Sequence, residues 1–234
     1  MIVLRDVHKT FNFGTPLSNP VLRGLSLSLK AGEFVTVIGS NGAGKSTLLN
    51  AIAGEVAIER GQILIDGNDV THLPAHRRTA LIARVFQDPL AGTCANLTIA
   101  ENLALAMKRG ISRGLSTAVK NRYLPHFRDS LAEIHLGLEN RLNDRMGLLS
   151  GGQRQAVSLI MSCLQPSKII LLDEHTAALD PKTAAFILQL TQNVIQRNQL
   201  TALMVTHSMK QALEAGSRTI MLHQGKVVFD IHGT

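Results

Sequence analysis

Short apolar runs of strand length recur along the chain and alternate with stretches whose apolar residues return at helical spacing. Glu33–Ile38, Leu81–Phe86, Ile169–Leu172 and Leu203–Thr206 are continuous enough for strands covered on both faces. With helical patterns between them, they predict an α/β core around a mainly parallel sheet. The opening has a different texture. Ile2–Val7, Ser26–Leu29 and Gln62–Asp66, the last leading into Gly67-Asn68, predict antiparallel strands and hairpins. A loop containing Gly, Pro and Asn, from Asn12 to Pro20, interrupts them. Ile220–Leu222 and Lys226–Phe229 predict a closing hairpin.

The middle of the chain, Asp88 to Pro166, reads as helical. Thr98-Ile-Ala-Glu101 is a capping box that opens an apolar helix through Met107. Tyr123 to Leu138 carries apolar residues at helical spacing, with a break expected near Pro125. The expected organisation is one domain, in which about 1–87 and 166–234 form the core and its β-subdomain and about 88–165 a helical insert.

Composition narrows the function classes. Hydrophobic residues make up 45% and charged residues 18%, a globular balance. No apolar run reaches the ~18–20 residues that cross a bilayer, and the N-terminus lacks a signal-peptide pattern. Cys94 and Cys163 match no metal or redox spacing and read as reduced, structural thiols. The net charge of +7 fits nucleic acid, anionic lipid or a polyphosphate ligand. With aromatics at 3% and no Trp, stacking platforms for single strands are largely missing. Much of the positive excess lies in Lys108, Arg109, Arg113, Lys120, Arg122 and Arg128, a solvated helix face or a surface close to anionic headgroups.

Gly39-Ser40-Asn41-Gly42-Ala43-Gly44-Lys45-Ser46 fits the pattern G-x-x-x-x-G-K-[ST] at every fixed position. An apolar strand (Phe34–Ile38) precedes it, and a helix (Thr47–Ala53, stopped by Gly54) follows. Glycines let successive backbone N–H groups curl around phosphate oxygens, and the helix N-terminus adds its positive dipole end. Lys45 supplies a point charge for the β- and γ-phosphates, and the Ser46 hydroxyl suits Mg²⁺. Ile169-Ile-Leu-Leu-Asp173-Glu174 is a strand ending in two carboxylates, where ligands of open α/β sheets sit. Asp173 is the candidate for Mg²⁺ and Glu174 for the attacking water. Gln87 and His207 stand at two further strand ends. Leu149-Ser150-Gly151-Gly152-Gln153 opens another helix with a capping box, a second anion receptor.

In order and spacing these pieces resemble the nucleotide-binding subunits of ABC transporters along almost the whole chain. Walker A is Gly39–Ser46, with Thr47 following; the Q-loop is Gln87; the signature is Leu149–Gln153. Walker B is Ile169–Asp173, with Glu174 next; the D-loop is Ala178-Leu179-Asp180; the switch histidine is His207. The signature discriminates, since other P-loop classes lack it. The resemblance implies a P-loop NTPase (RecA-like) core with an N-terminal antiparallel β-subdomain and an inserted helical subdomain. It implies ATP and Mg²⁺ as cofactors, with Ser46, Gln87 and Asp173 around the metal and Glu174, Gln87 and His207 in catalysis. It also implies a head-to-tail homodimer in which Ser150, Gly151, Gly152 and Gln153 of one copy, with Asp180, close on ATP held by the other. Adenine would stack on Phe11, with Phe13 the alternative. The implied partners are membrane-spanning permease subunits and a separate substrate-binding protein, with no nucleic acid. The implied location is peripheral, on the cytoplasmic face of the inner membrane.

Three positions depart from the family pattern. His175 replaces a proline common after the catalytic Glu, and Ala156 and Met161 stand where many relatives have arginines. The run Glu174-His-Thr-Ala-Ala-Leu-Asp-Pro resembles a subgroup serving importers of amino-acid-like solutes. An exporter ATPase is the competing reading. A chromosome-maintenance ATPase would need a long coiled coil between Walker A and the signature, where only about a hundred residues lie without sustained heptads.

Overall fold

The computed structural model describes residues 1–111 and 117–233. The chain opens with β1 (Ile2–Phe11) and β2 (Asn19–Leu29), then β3 (Phe34–Gly39) and α1 (Lys45–Ala53). β4 (Arg60–Ile65), β5 (Asn68–Asp69), the one-turn α2 (Ala75–Arg78) and β6 (Ile82–Val85) follow. Helices α3 (Ile99–Ala106), α4 (Leu124–Ala132) and α5 (Gly151–Cys163) come next. The chain closes through β7 (Ile169–Asp173), α6 (Pro181–Arg197), β8 (Ala202–Val205), α7 (Met209–Ala215), β9 (Arg218–His223) and β10 (Lys226–His232).

The strands form two sheets. One is antiparallel, in the order β2-β1-β4-β5. The other runs β10-β9-β3-β8-β7-β6 and is parallel except for the β9–β10 hairpin. This is the expected α/β class, with an antiparallel N-terminal sheet and a helical insert. The apolar runs are continuous because the parallel sheet is covered twice. In β7, Ile169 and Leu171 pack with α1 and the antiparallel sheet, while Ile170 and Leu172 pack with α3 to α6. Side chains alternate across a strand, so such a strand must be apolar throughout.

The structure departs from the sequence reading at several local points. The first loop is shorter, because β1 runs to Phe11 and β2 starts at Asn19. Pro125 starts α4 instead of breaking a helix, since a first-turn residue has no intrahelical N–H bond to lose. The helix then ends early. His135 and Gly137 both take positive φ, and they carry Ile134 and Leu138 into the core by turns. The helix α6, 17 residues long, was not among the elements read from the sequence. Within the basic stretch, Arg109 turns inward and donates to the carbonyls of Ser162 (2.9 Å) and Gln165 (2.7 Å). It closes the C-terminal end of α5 and is not part of a solvated face. Arg122 and Arg128 are exposed; Arg113 lies outside the described residues.

Candidate functional site

The loop between β3 and α1 is shaped by its glycines. A Cβ at Gly39 would collide with the Leu222 carbonyl, and Gly44 holds φ 103° as the N-cap of α1. No side chain caps that helix, so its first-turn N–H groups stay open for a ligand. The Lys45 ammonium folds back to donate to the carbonyls of Gly39 (2.7 Å) and Ser40 (3.0 Å). Burial holds its pKa below the usual lysine value, partly offset by the nearby Glu174 and Asp173 carboxylates. Phosphate oxygens would replace those two carbonyls as acceptors.

A cleft of about 350 Å³ opens over this loop. Its walls are Phe11, Asn19, Val21, Asn41, Gly42, Gly44, Lys45, Ser46, Thr47, Glu174 and His207. The structure thus gathers the strand end of β7, the strand end of β8 and the P-loop around one space. Phe11 is 38% exposed at its rim, with the Lys9 ammonium 5.4 Å from the ring centroid. Phe13 is 80% exposed and does not line the cleft. Asn19 and Val21, near the start of β2, escaped the sequence reading because Asn19 fell inside the predicted loop and Val21 between that loop and the predicted strand Ser26–Leu29.

The two carboxylates at the end of β7 part company. Glu174 has φ 45°, an uncommon left-handed conformation for a side-chain-bearing residue, pinned by its N–H donating to the Val205 carbonyl at 3.0 Å. Its Oε1 lies 2.6 Å from His207 Nε2. Asp173 points elsewhere: its Oδ2 accepts from Arg84 Nη2 at 2.9 Å. Gln87 does not line the Lys45 cleft. It sits with Phe86, Asp88, Pro89 and Ala178 around a second hollow of similar size that touches Asp173.

Ser150 caps α5 with a reciprocal box: it accepts from the Gln153 N–H (3.2 Å), and its own N–H donates to Gln153 Oε1 (3.1 Å). A Cβ at Gly152 would press on the Thr183 methyl of α6, a half-buried side chain that would have to rotate away. Neither Ser150, Gly151, Gly152 nor Gln153 lines the Lys45 cleft. Asp180 caps α6 by accepting from the Thr183 N–H, and those hydrogen bonds hold its carboxyl below the usual range.

The three departures have packing roles. Ala156 is fully buried, and Met161 packs against the helical core. His175 is buried too, with Nε2 2.9 Å from Thr191 Oγ1. The Thr191 hydroxyl proton goes to the Ile187 carbonyl, so the imidazole Nε2–H is the donor. Its Nδ1 is left buried and unpartnered, and burial pushes the pKa down to about 4.

Comparison with known proteins agrees with this geometry. The family model described as "ABC transporter" matches residues 22–177. The chain is 45% identical over 235 residues to a tyrosine transport ATP-binding protein of Clostridioides difficile, covering 99% of this chain and 92% of that protein. It is 35% identical over 204 residues to the thiamine import ATP-binding protein ThiQ of Salmonella typhimurium, covering 87% and 82%. Among solved structures it is similar to the ATP-binding cassette MJ0796 in a dimeric post-hydrolysis state bound to ADP and Pi. That match has a TM-score of 0.83 and 31% identity, over 99% of this chain and 98% of that one. With the family model over residues 22–177 and a relative 45% identical across 99% of the chain, the protein belongs to the ABC transporter family as an ATP-binding, ATP-hydrolysing subunit.

Proposed function

We propose that this subunit powers binding-protein-dependent uptake of a small solute such as an amino acid, closing head-to-tail with a second copy around two ATP. One observation carries the dimer: the second anion receptor, Ser150 to Gln153, does not line its own chain's cleft. A receptor with no phosphate in cis finds a purpose against ATP held by another copy, in a twofold contact. The dimeric state of the similar ADP-bound cassette supports this; the name of the thiamine import relative supports import, and that of the tyrosine transport relative supports an amino-acid solute.

In this mechanism Phe11 stacks on adenine while the P-loop N–H groups and Lys45 hold the phosphates. Ser46, Asp173 and Gln87 offer only oxygen and amide groups. Such a donor set suits Mg²⁺, which keeps several waters and takes phosphate oxygens as its remaining ligands. Mg²⁺ bound there would neutralise charge developing on the phosphates. Glu174 takes a proton from the attacking water, and His207, 2.6 Å away, fixes the carboxylate's orientation. A groove of about 480 Å³ between core and helical insert, lined by Glu55, Arg84, Phe86 and Met161 among others, is the surface assigned to the permease.

The test uses Glu174→Gln, which keeps size and polarity but removes the base. Turnover should fall about 10²–10⁴-fold while ATP still binds. Light scattering over an ATP titration should then show a dimer that tightens with nucleotide. Ser150→Arg should abolish it with Walker A intact. Absence of an ATP-tightened dimer, alone and with the permease, overturns the sandwich. For direction, the reconstituted transporter's ATPase should rise when a solute-loaded binding protein is added outside; stimulation by an internal substrate instead would mean export.

A further inference from the structure

Arg84 is the one charged residue in the apolar run of β6, the edge strand beside β7. Its guanidinium joins two carboxylates: Nη1 donates to Glu55 Oε2 at 2.7 Å and Nη2 to Asp173 Oδ2 at 2.9 Å. It also lies over the Phe86 ring, 4.7 Å from the centroid, and its Nε is buried without a partner. The side chains of Arg84 and Asp173 are only 11% and 15% exposed, so solvent screens their contact weakly. Glu55 is different. It follows the Gly54 cap of α1, is 42% exposed, and lines the groove together with Arg84 and Phe86.

One cation therefore stands between the carboxylate at the nucleotide end of β7 and a carboxylate in the wall of the groove. A guanidinium shared by two acids is held less tightly by each than by one alone, and Arg cannot relieve the conflict by losing its proton. We propose that Arg84 is a positioning residue that competes with Mg²⁺ for Asp173, and that Glu55 sets the strength of this competition from the groove. This rests on the reading of Asp173 as the carboxylate for Mg²⁺. Engagement of Glu55 by a group in the groove frees Arg84 to bear harder on Asp173 and weakens the cation site; a groove that leaves Glu55 on Arg84 strengthens it.

The readout is the factor by which Mg²⁺ tightens ATP binding, taken as the ratio of the Kd for ATP in EDTA to that in Mg²⁺. Calorimetry on the full chain in the Glu174→Gln background measures it without turnover. Glu55→Gln should lower this factor by about three- to tenfold, the scale of one charge-assisted contact in a partly buried site. Arg84→Met should raise it, because Asp173 is released. In the Arg84→Met background, Glu55→Gln should have no further effect, since Glu55 acts only through the guanidinium. A purely structural role would lower the factor in both single variants and add in the double. Same-sign or additive shifts overturn the proposal, as does a silent Glu55→Gln, which remains informative if Arg84→Met does not fold. Asp173→Asn separates the two readings. If it leaves the factor unchanged, the assignment of Asp173 fails and the proposal with it. If it abolishes the factor while Glu55→Gln is silent, only the proposal fails.

Discussion

Acidification should destabilise this protein through His175. The imidazole is 1% exposed and its pKa falls from 6.5 to about 4 on burial. Between those values the unfolded chain binds a proton that the folded chain refuses. Stability from this group is therefore fully present above about pH 6.5 and is lost as pH falls towards 4. With these two values, the linkage relation gives a loss of about 2 kcal/mol at about pH 5, relative to about pH 7.5. Protonation would put a charge on Nδ1, where the described structure offers no acceptor. Carboxylates titrate in the same range, so the useful quantity is a difference between variants. His175→Gln keeps a donor for Thr191 but cannot titrate. Urea unfolding of both proteins at the two pH values should show a wild-type excess loss of about 2 kcal/mol on acidification. Equal pH slopes would refute the reasoning, and so would a steeper slope in His175→Gln.

Lys45→Ala should nearly abolish ATP binding and turnover, measured by calorimetry and phosphate release; near-normal affinity would remove Lys45 from the cradle. Phe11→Ala should weaken ATP binding by about 1–3 kcal/mol, whereas Phe13→Ala should change it little; the reverse order would move adenine to the other ring. Arg78 is buried and donates to the carbonyls of Ala51, Ile52, Thr71 and Leu73, so it closes the C-terminal end of α1. Arg78→Met should cost about 3 kcal/mol or more and lower Tm by roughly 6–12 °C in a thermal scan, with no change in the ATP affinity of the folded fraction.

What the sequence made legible follows from how local each feature is. The cradle could be read because its glycines, Lys45 and Ser46 are contiguous and each answers one local demand of a phosphate. The capping boxes at Thr98 and Ser150 were equally plain, since cap and partner lie three residues apart; both form in the structure. α6 could have been found from Asp180-Pro181 as cap and first residue, followed by Ala184, Ile187, Leu188, Thr191 and Ile195 at helical spacing. Arg84 could not have been read this way. Its partners Glu55 and Asp173 are brought to it by strand pairing and by the return of α1, at separations of 29 and 89 residues. Gly152 was legible as an opening for an anion, yet its close approach to the Thr183 methyl is something only helix packing reveals.

Asp173 is the last residue of β7, whereas Glu174 has left strand geometry for a positive φ. They therefore meet different partners. Asp173 faces the guanidinium of Arg84, while Glu174 faces the imidazole of His207. On the proposed roles, the guanidinium contends with the metal for Asp173, so its grip on that carboxylate must yield when the cation binds. For Glu174 as the proposed base, the half-exposed imidazole at the cleft orients the carboxylate towards the water it would deprotonate. On that reading, the backbone conformation of one residue separates the proposed metal-facing acid from the proposed water-facing acid in a dipeptide. Any substitution that returned residue 174 to ordinary strand geometry would take its carboxylate from His207 without removing a single functional group.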